Sequence, residues 1–315
     1  MQHPLISGSC VAIITPMTGD KVDLVALRKM VNWQIEQGTQ CIVPVGTTGE
    51  SPTLTPEEHV DVIRAVVEEV NGRIPVMAGS GSNNTREALE YHQEAKAIGA
   101  DAALHVCGYY NRPSQEGIYR HFKALNDSCD LPIYVYNIPP RAVVDISVET
   151  MSRLAALPNI VGVKDATGDV VRPLREREQI KSAFSWLSGE DASAVPYNAA
   201  GGNGCISVTA NVAPALCRQM QQACADGDYP TAMKVQDRLL PLHDALFAEP
   251  SPAGAKYACS LLGLCEPDAR LPVIELGSDT RKRIEKVVQD LGLAETVGAS
   301  SLSTTGKKGE ALTPA

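Results

Sequence analysis

Aromatic residues make up only 4% of this 315-residue chain: nine Tyr, three Phe and two Trp. Burial must therefore rest on small aliphatic side chains, which suits an α/β protein better than a sandwich of aromatic-rich strands. Basic runs are equally scarce. The longest is Arg281-Lys282-Arg283, and the formal net charge is -9. Binding to a nucleic-acid backbone needs a basic footprint, so nucleic acid is not expected as a main partner. Anionic small molecules stay open, because a site's local field can oppose the global charge. No apolar stretch reaches the roughly 18–20 residues that span a bilayer, and no basic segment followed by an apolar one opens the chain. The nine cysteines are odd in number and contain no Cys-x-x-Cys. Neither a disulfide framework nor a zinc site is expected from that spacing. The six histidines are scattered without metal-ligand spacing. Together these absences predict a soluble cytoplasmic protein with buried free thiols and no membrane partner.

What is present is an alternation. Eight short apolar runs recur: Cys10–Ile14, Gln40–Val45, Pro75–Gly79, Ala102–Val106, Ile133–Asn137, Ile160–Lys164, Phe184–Gly189 and Gly204–Val208. Each is continuous, as expected of parallel strands covered on both faces. Helical patterns lie between them. Asp23 can cap a helix with Leu24, Leu27, Val31 and Ile35 on one face, ended by Gly38. Thr55-Pro56-Glu57-Glu58 reads as a capping box with Pro in the first turn, followed by a stripe of Val60, Ile63, Val67 and Val70. Thr85, Ser114 and Ser147 can open the next helices. Eight strand–helix units at spacings of roughly 20–35 residues predict a (β/α)8, or TIM, barrel. A doubly wound sheet is the alternative, but no Gly-x-Gly-x-x-Gly follows the first strand. The strand signal stops near residue 227. Asp228–Phe247, Pro252–Leu262 and Asp279–Leu291 read as helices. The expected layout is thus a barrel over 1–227, a small C-terminal helical domain over 228–294, and a disordered tail over 295–315.

In a barrel the chemistry belongs at the C-terminal ends of the strands. Lys164 closes the run Ile160-Val161-Gly162-Val163, and strand periodicity puts Ile160, Gly162 and Lys164 on one face, with Gly162 leaving room for the lysine. An amine in an apolar mouth loses solvation, which favours its neutral, nucleophilic form and permits a Schiff base with a ketone; a solvated strand-end lysine is the plainer reading. Tyr136, one strand earlier, can pass protons or simply be a buried phenol. Thr47 and Thr48 offer hydroxyls and N–H groups to a carboxylate, or ordinary turn chemistry. Arg141 follows two prolines that stiffen its loop, a setting that suits bidentate carboxylate binding; an ordinary surface arginine is the plainer reading. Glu50, Glu190 and Asp191 are candidate acids, with helix capping the default for Asp191.

Five segments in order carry a resemblance: Gly46-Thr47-Thr48-Gly49-Glu50-Ser51, Tyr109-Tyr110-Asn111-Arg112-Pro113, Tyr136-Asn137-Ile138-Pro139-Pro140-Arg141, Gly162-Val163-Lys164-Asp165-Ala166-Thr167-Gly168 and Cys205-Ile206-Ser207-Val208-Thr209-Ala210-Asn211. From about Ser7 to Leu293 the chain resembles the dihydrodipicolinate synthase / N-acetylneuraminate lyase family of class I aldolase-like barrels. The resemblance implies a lyase in which Lys164 forms a Schiff base with pyruvate and Tyr136 donates and accepts protons. Thr47, Tyr136 and Tyr110 would form a proton relay, with Tyr110 supplied across a subunit interface. Thr47 and Thr48 would hold the pyruvate carboxylate, Ile206 would line that pocket, and Gly189 would lie beside it. Arg141 would bind the carboxylate of L-aspartate 4-semialdehyde, the second substrate of the synthase branch in the diaminopimelate route to lysine. The implied enzyme needs no metal or organic cofactor and is a homotetramer built as a dimer of dimers. Thr47 and Arg141 favour the synthase branch over 2-keto acid aldolases that cleave sialic acid or keto-deoxy sugar acids. Ala142 and Cys107-Gly108 depart from the family pattern of Thr and Thr-Pro. L-lysine is implied as a feedback inhibitor at Ser51, His59, Asn83, Glu87 and Tyr109, with Pro56 where some lysine-sensitive relatives carry histidine.

Overall fold

The structure, a computed structural model, describes residues 5–294; the tail expected at 295–315 lies outside them. In chain order the strands are β1 (Gly8–Ala12), β2 (Met17–Thr18), β3 (Lys21–Val22), β4 (Cys41–Val43), β5 (Met77–Gly79), β6 (Ala102–Val106), β7 (Ile133–Asn137), β8 (Ile160–Asp165), β9 (Ser185–Ser188) and β10 (Gly204–Ser207). The helices around the barrel are α1 (Leu24–Glu36), α2 (Pro56–Val70), α3 (Thr85–Ile98), α4 (Gln115–Ser128), α5 (Pro139–Ala142), α6 (Val148–Ala155), α7 (Arg172–Gln179), α8 (Ala194–Ala199) and α9 (Pro214–Ala225). α10 (Tyr229–Leu246), α11 (Ala253–Leu261) and α12 (Ser278–Asp290) form the helical C-terminal region.

The eight predicted runs become eight parallel strands in the order β4-β1-β10-β9-β8-β7-β6-β5, and a parallel bridge between Ile42 and Val76 closes the ring. This is the expected (β/α)8 barrel. Continuous apolar strands work because both faces are covered. Along β1, Cys10 and Ala12 fill the lumen while Val11 packs under the helices. Gly79 permits the closure, since a Cβ there would stand 2.2 Å from the carbonyl oxygen of Val45.

Local signals largely hold. Asp23 accepts from the Ala26 N–H at 2.9 Å, and the Thr55–Glu58 capping box is complete in both directions. Ser114 and Ser147 cap α4 and α6. Asn84, not Thr85, caps α3. On α2 the buried face is His59, Val62, Ile63, Val66 and Val70, while Val60 and Val67 are only partly covered. A barrel helix packs on strands and on neighbouring helices at once, so its apolar face is wider than one i, i+3, i+4 line.

Two features escaped periodicity. A register shift between Ile133 and Tyr134 on β7, against β8, sends Ile160 to the outer cluster, so it does not share a face with Lys164. A bulge of this kind resets alternation, and nothing in the composition of the run marks it. The second feature is the β2–β3 hairpin, too short to show a period. It is the docking point of the C-terminal region: the Gly19 N–H bonds Asp268 at 2.7 Å, and Arg270 bonds Asp20 at 3.0 Å and grips both Glu58 oxygens at 2.6 and 2.7 Å. One apolar cluster runs from Leu27 on α1 through Leu239 on α10 to Ile284 on α12. Among the described residues no helix is long and apolar enough to cross a membrane.

Candidate active site

The C-terminal ends of β7 and β8 set the central pair. Their parallel register places Tyr136 opposite Lys164, so the two side chains lie side by side; Tyr136 lines the cavity at the mouth, and Lys164 stands against its ring without lining that cavity. The Lys164 Nζ lies 4.2 Å from the centre of the Tyr136 ring. Lys164 is 6% exposed, and no carboxylate forms an ion pair with it among the described residues. Its other flank is Gly189, where a Cβ would stand 3.1 Å from Cε and 3.2 Å from Cγ of the lysine. Gly189 is therefore the residue that leaves room for Lys164. The expectation had given that task to Gly162, but a Cβ at Gly162 would strike the Tyr134 ring at 2.4 Å. Gly162 makes space for Tyr134, whose hydroxyl accepts the Ile6 N–H at 2.7 Å at the opposite end of the barrel.

The loop after β4 forms the next wall. Val45 takes a left-handed φ of 54°, and the turn closes through the Glu50 N–H to the Thr47 carbonyl at 3.1 Å and the Thr15 hydroxyl to the Gly49 carbonyl at 2.7 Å. Thr48 is buried, while Thr47 faces a cavity of about 230 Å³. Thr47, Ser51, Tyr109, Tyr136 and Arg141 line that cavity. Ile206 is buried in the barrel lumen at the end of β10.

Arg141 sits on α5, a single turn started by its two prolines and ended by Val143 in the left-handed region. It is exposed and, among the described residues, has no ion-pair partner. The segment behind it is pinned. Asn137 donates to Asp145 at 2.8 Å and accepts the Ile146 N–H at 3.2 Å. Arg172 holds both Asp145 oxygens at 3.0 and 3.1 Å and Glu176 at 3.0 Å, and the Trp186 indole N–H also bonds Glu176 at 3.0 Å. Burial pushes the Glu176 carboxyl up to about 7, against the pull of Arg172. Sequence reasoning missed Asp145, Arg172 and Glu176. An Arg–Glu pair four apart on a helix reads as a surface contact, and only burial reveals its role.

The three candidate acids resolve into other tasks. Asp191 does not cap α8; its carboxylate accepts from the Ser207 hydroxyl and from the Val208 and Thr209 N–H groups at 2.9 and 3.2 Å, tying down the end of β10. Glu50 is buried in an ion pair with Lys256. Glu190 accepts from its neighbour Ala192 N–H at 3.4 Å, and burial raises its carboxyl.

Tyr110 points away from this cavity. It is 89% exposed and held at φ 68°. The remaining sequence candidates form a second group beside the mouth. Asn83 donates to the Tyr109 carbonyl at 3.2 Å, Glu87 accepts from Ser82, and His59 meets the Gly79 carbonyl at 2.8 Å. Tyr91, which the motifs did not single out, stacks on His59 at 3.9 Å. Burial pulls the His59 imidazole down to about 4.

Fold and site define the class: a (β/α)8 barrel with a buried lysine and a tyrosine side by side at the C-terminal ends of adjoining strands. The dihydrodipicolinate synthetase family model matches residues 5–291. The chain belongs to that family. It is 55% identical to the 4-hydroxy-tetrahydrodipicolinate synthase of Parvibaculum lavamentivorans over 92% of its own length and 99% of that protein. It is 56% identical to the enzyme of the same name from Rhodospirillum centenum, again over 92% and 99%. Among solved structures, the dihydrodipicolinate synthase of Acinetobacter baumannii complexed with pyruvate superimposes with a TM-score of 0.90 at 44% identity, covering 92% of this chain and 100% of that one. The enzyme from Cyanidioschyzon merolae with lysine bound gives 0.88 at 34%, over 91% and 99%.

Proposed function

We propose that this chain is a 4-hydroxy-tetrahydrodipicolinate synthase that condenses pyruvate with L-aspartate 4-semialdehyde through Lys164. The observation that carries the reading is the Lys164–Tyr136 pair at adjoining strand ends, in a mouth where Thr47 and Arg141 face one cavity. The lysine amine attacks the pyruvate ketone and expels water, giving an iminium. Loss of a methyl proton gives an enamine, whose carbon attacks the aldehyde of the second substrate. The substrate's own amine then displaces Lys164 and closes the ring. Each proton transfer needs a weak acid within reach. Tyr136 and Thr47 serve here, with Tyr110 as the third member. The exposure of Tyr110 and its left-handed backbone, which costs roughly 1–2 kcal/mol in a non-glycine residue, favour its insertion into the site of a second copy. At least a dimer then follows, and a homotetramer by extension. Thr47 and Thr48 hold the pyruvate carboxylate against the Ile206 backbone, Gly189 keeps the lysine channel open, and Arg141 takes the carboxylate of the aldehyde. Condensation, proton transfer and carbon–carbon bond formation balance without a metal or organic cofactor. The cluster of Ser51, His59, Asn83, Glu87 and Tyr109 adjoins the mouth and is assigned to L-lysine as feedback inhibitor. The setting is the cytoplasm.

Borohydride trapping tests the reading. With pyruvate alone a reduced adduct should appear on the Lys164 peptide, and adding L-aspartate 4-semialdehyde should deplete it as ring product forms. An adduct indifferent to the aldehyde would move the assignment to a 2-keto acid aldolase; no adduct would end it. Activity should fall on titration with L-lysine, and no inhibition at millimolar lysine would remove the regulatory site.

A further inference from the structure

The loop that presents Thr47 and Thr48 is held from outside the barrel. Glu50 ends that loop in the left-handed region, at φ 59°, with its side chain buried. Its carboxylate forms an ion pair with Lys256 and accepts the Arg270 N–H at 3.0 Å. Lys256 belongs to α11 in the helical C-terminal region and is fully enclosed. Its ammonium also donates to the Asp268 carbonyl at 2.6 Å. Glu50 does not line the cavity, but its backbone bonds Thr47, which does, and Thr53, which follows the lining residues Ser51 and Pro52. Its N–H bonds the Thr47 carbonyl at 3.1 Å, and its carbonyl receives both the N–H and the hydroxyl of Thr53, at 3.0 and 3.1 Å.

A carboxylate this deep is tolerated only while its counter-charge is present. Without Lys256 it must rotate toward water, and it cannot do so without moving the turn that carries Thr47. We propose that Lys256 is a positioning residue of the pyruvate site: through Glu50 it fixes the Thr47–Thr48 loop, so the C-terminal helices complete a site they do not touch. The proposal rests on the reading of Thr47 and Thr48 as the holders of the pyruvate carboxylate. It predicts a particular kinetic signature. Weaker holding of the carboxylate raises the pyruvate concentration needed for saturation, while the chemistry at Lys164 proceeds once pyruvate is seated.

The test uses the full chain and pyruvate as probe, with borohydride trapping and steady-state rates measured across pyruvate concentration. Lys256→Met leaves Glu50 uncompensated. The double variant Glu50→Leu/Lys256→Met removes both charges and replaces them with apolar side chains of similar volume, the exchange that buried ion pairs tolerate best. A displacement of loop groups by a fraction of an ångström to one ångström costs about ten- to a hundredfold. The double variant is expected to need about tenfold more pyruvate for half-maximal trapping, with kcat changed by less than about threefold. Glu50→Gln keeps an oxygen acceptor for the Arg270 N–H but leaves Lys256 without its counter-charge; its KM for pyruvate should rise by about twofold at unchanged kcat, and it carries the test if the other variants do not fold. A folded double variant, or a folded Glu50→Gln if that alone is available, with the pyruvate dependence of the wild type would overturn the proposal and leave the pair purely structural. A wild-type protein that traps no pyruvate would instead overturn the function it rests on.

Discussion

Two lysines among the described residues are withdrawn from solvent, and they differ in what surrounds the ammonium. Lys256 on α11 is enclosed with Glu50 and the Asp268 carbonyl. Burial pushes its ammonium down from the ordinary lysine range, and Glu50 pulls it back. Lys164 at the end of β8 meets an aromatic face and a glycine, with no carboxylate in ion-pair range among the described residues. A hydrogen-bonded ion pair holds an amine as a strut; an aromatic face with no carboxylate partner leaves the nitrogen untied, the setting that Schiff-base chemistry needs. Burial alone therefore does not mark a reactive lysine. The partner does.

Substitutions can set the two against each other. Lys164→Ala should abolish the trapped adduct and lower turnover by about a thousandfold or more, whereas Lys256→Met should still trap pyruvate; equal losses of adduct would erase the distinction. The strut shows itself in stability. Lys256→Met leaves a buried unpaired carboxylate and should cost about 3–5 kcal/mol in denaturant unfolding, most of it recovered by Glu50→Leu in the same chain. Gly189→Ala presses on the Lys164 side chain from 3.1 Å and should reduce kcat/KM by about thirtyfold at near-normal stability, because the amine is displaced from its line of attack. Arg141→Lys should raise KM for the aldehyde by about tenfold without altering pyruvate trapping, since an ammonium cannot replace a bidentate guanidinium. The smallest effect lies at the rim of the interlock. Arg270 holds the Glu58 carboxyl at about 2, below its ordinary 4.5. Its folded pKa is depressed, so its contribution to stability is complete above about pH 4.5 and is lost as pH falls through about 2. Glu58→Gln should flatten the acid limb of a stability–pH curve in that window, modestly, because the pair is partly exposed and screened.

How legible the site was depended on the kind of residue. Lys164 showed itself because a charged residue ends a run of small apolar ones, and Arg141 because two prolines precede it. Strand ends gather at one rim of a barrel, so the sequence alone points both residues toward the mouth. Gly189 was placed beside the site, but its role was given to Gly162, because the bulge that turns Tyr134 across Gly162 leaves no mark in composition. Asp191 looks like a helix cap in sequence, but its partners, Val208 and Thr209, lie in the turn that follows β10, far along the chain. Lys256 in Gly254-Ala255-Lys256-Tyr257 reads as any helical lysine, and the charge it meets lies some two hundred residues away.

Local chemistry in the chain settled the eight parallel strands and several of the helix starts, those at Asp23, Thr55, Ser114 and Ser147, since these depend on continuous apolar runs and capping groups that neighbouring residues supply. It also supplied Lys164 and Tyr136 at adjoining strand ends, where the barrel brings them side by side. Which glycine gives the lysine room, which carboxylates are struts rather than acids, and how the C-terminal helices reach the threonine loop were decided only by the closed barrel. These depend on contacts between segments far apart in sequence, whose energies come from burial and from opposite charges brought together, and neither exists until the chain has folded.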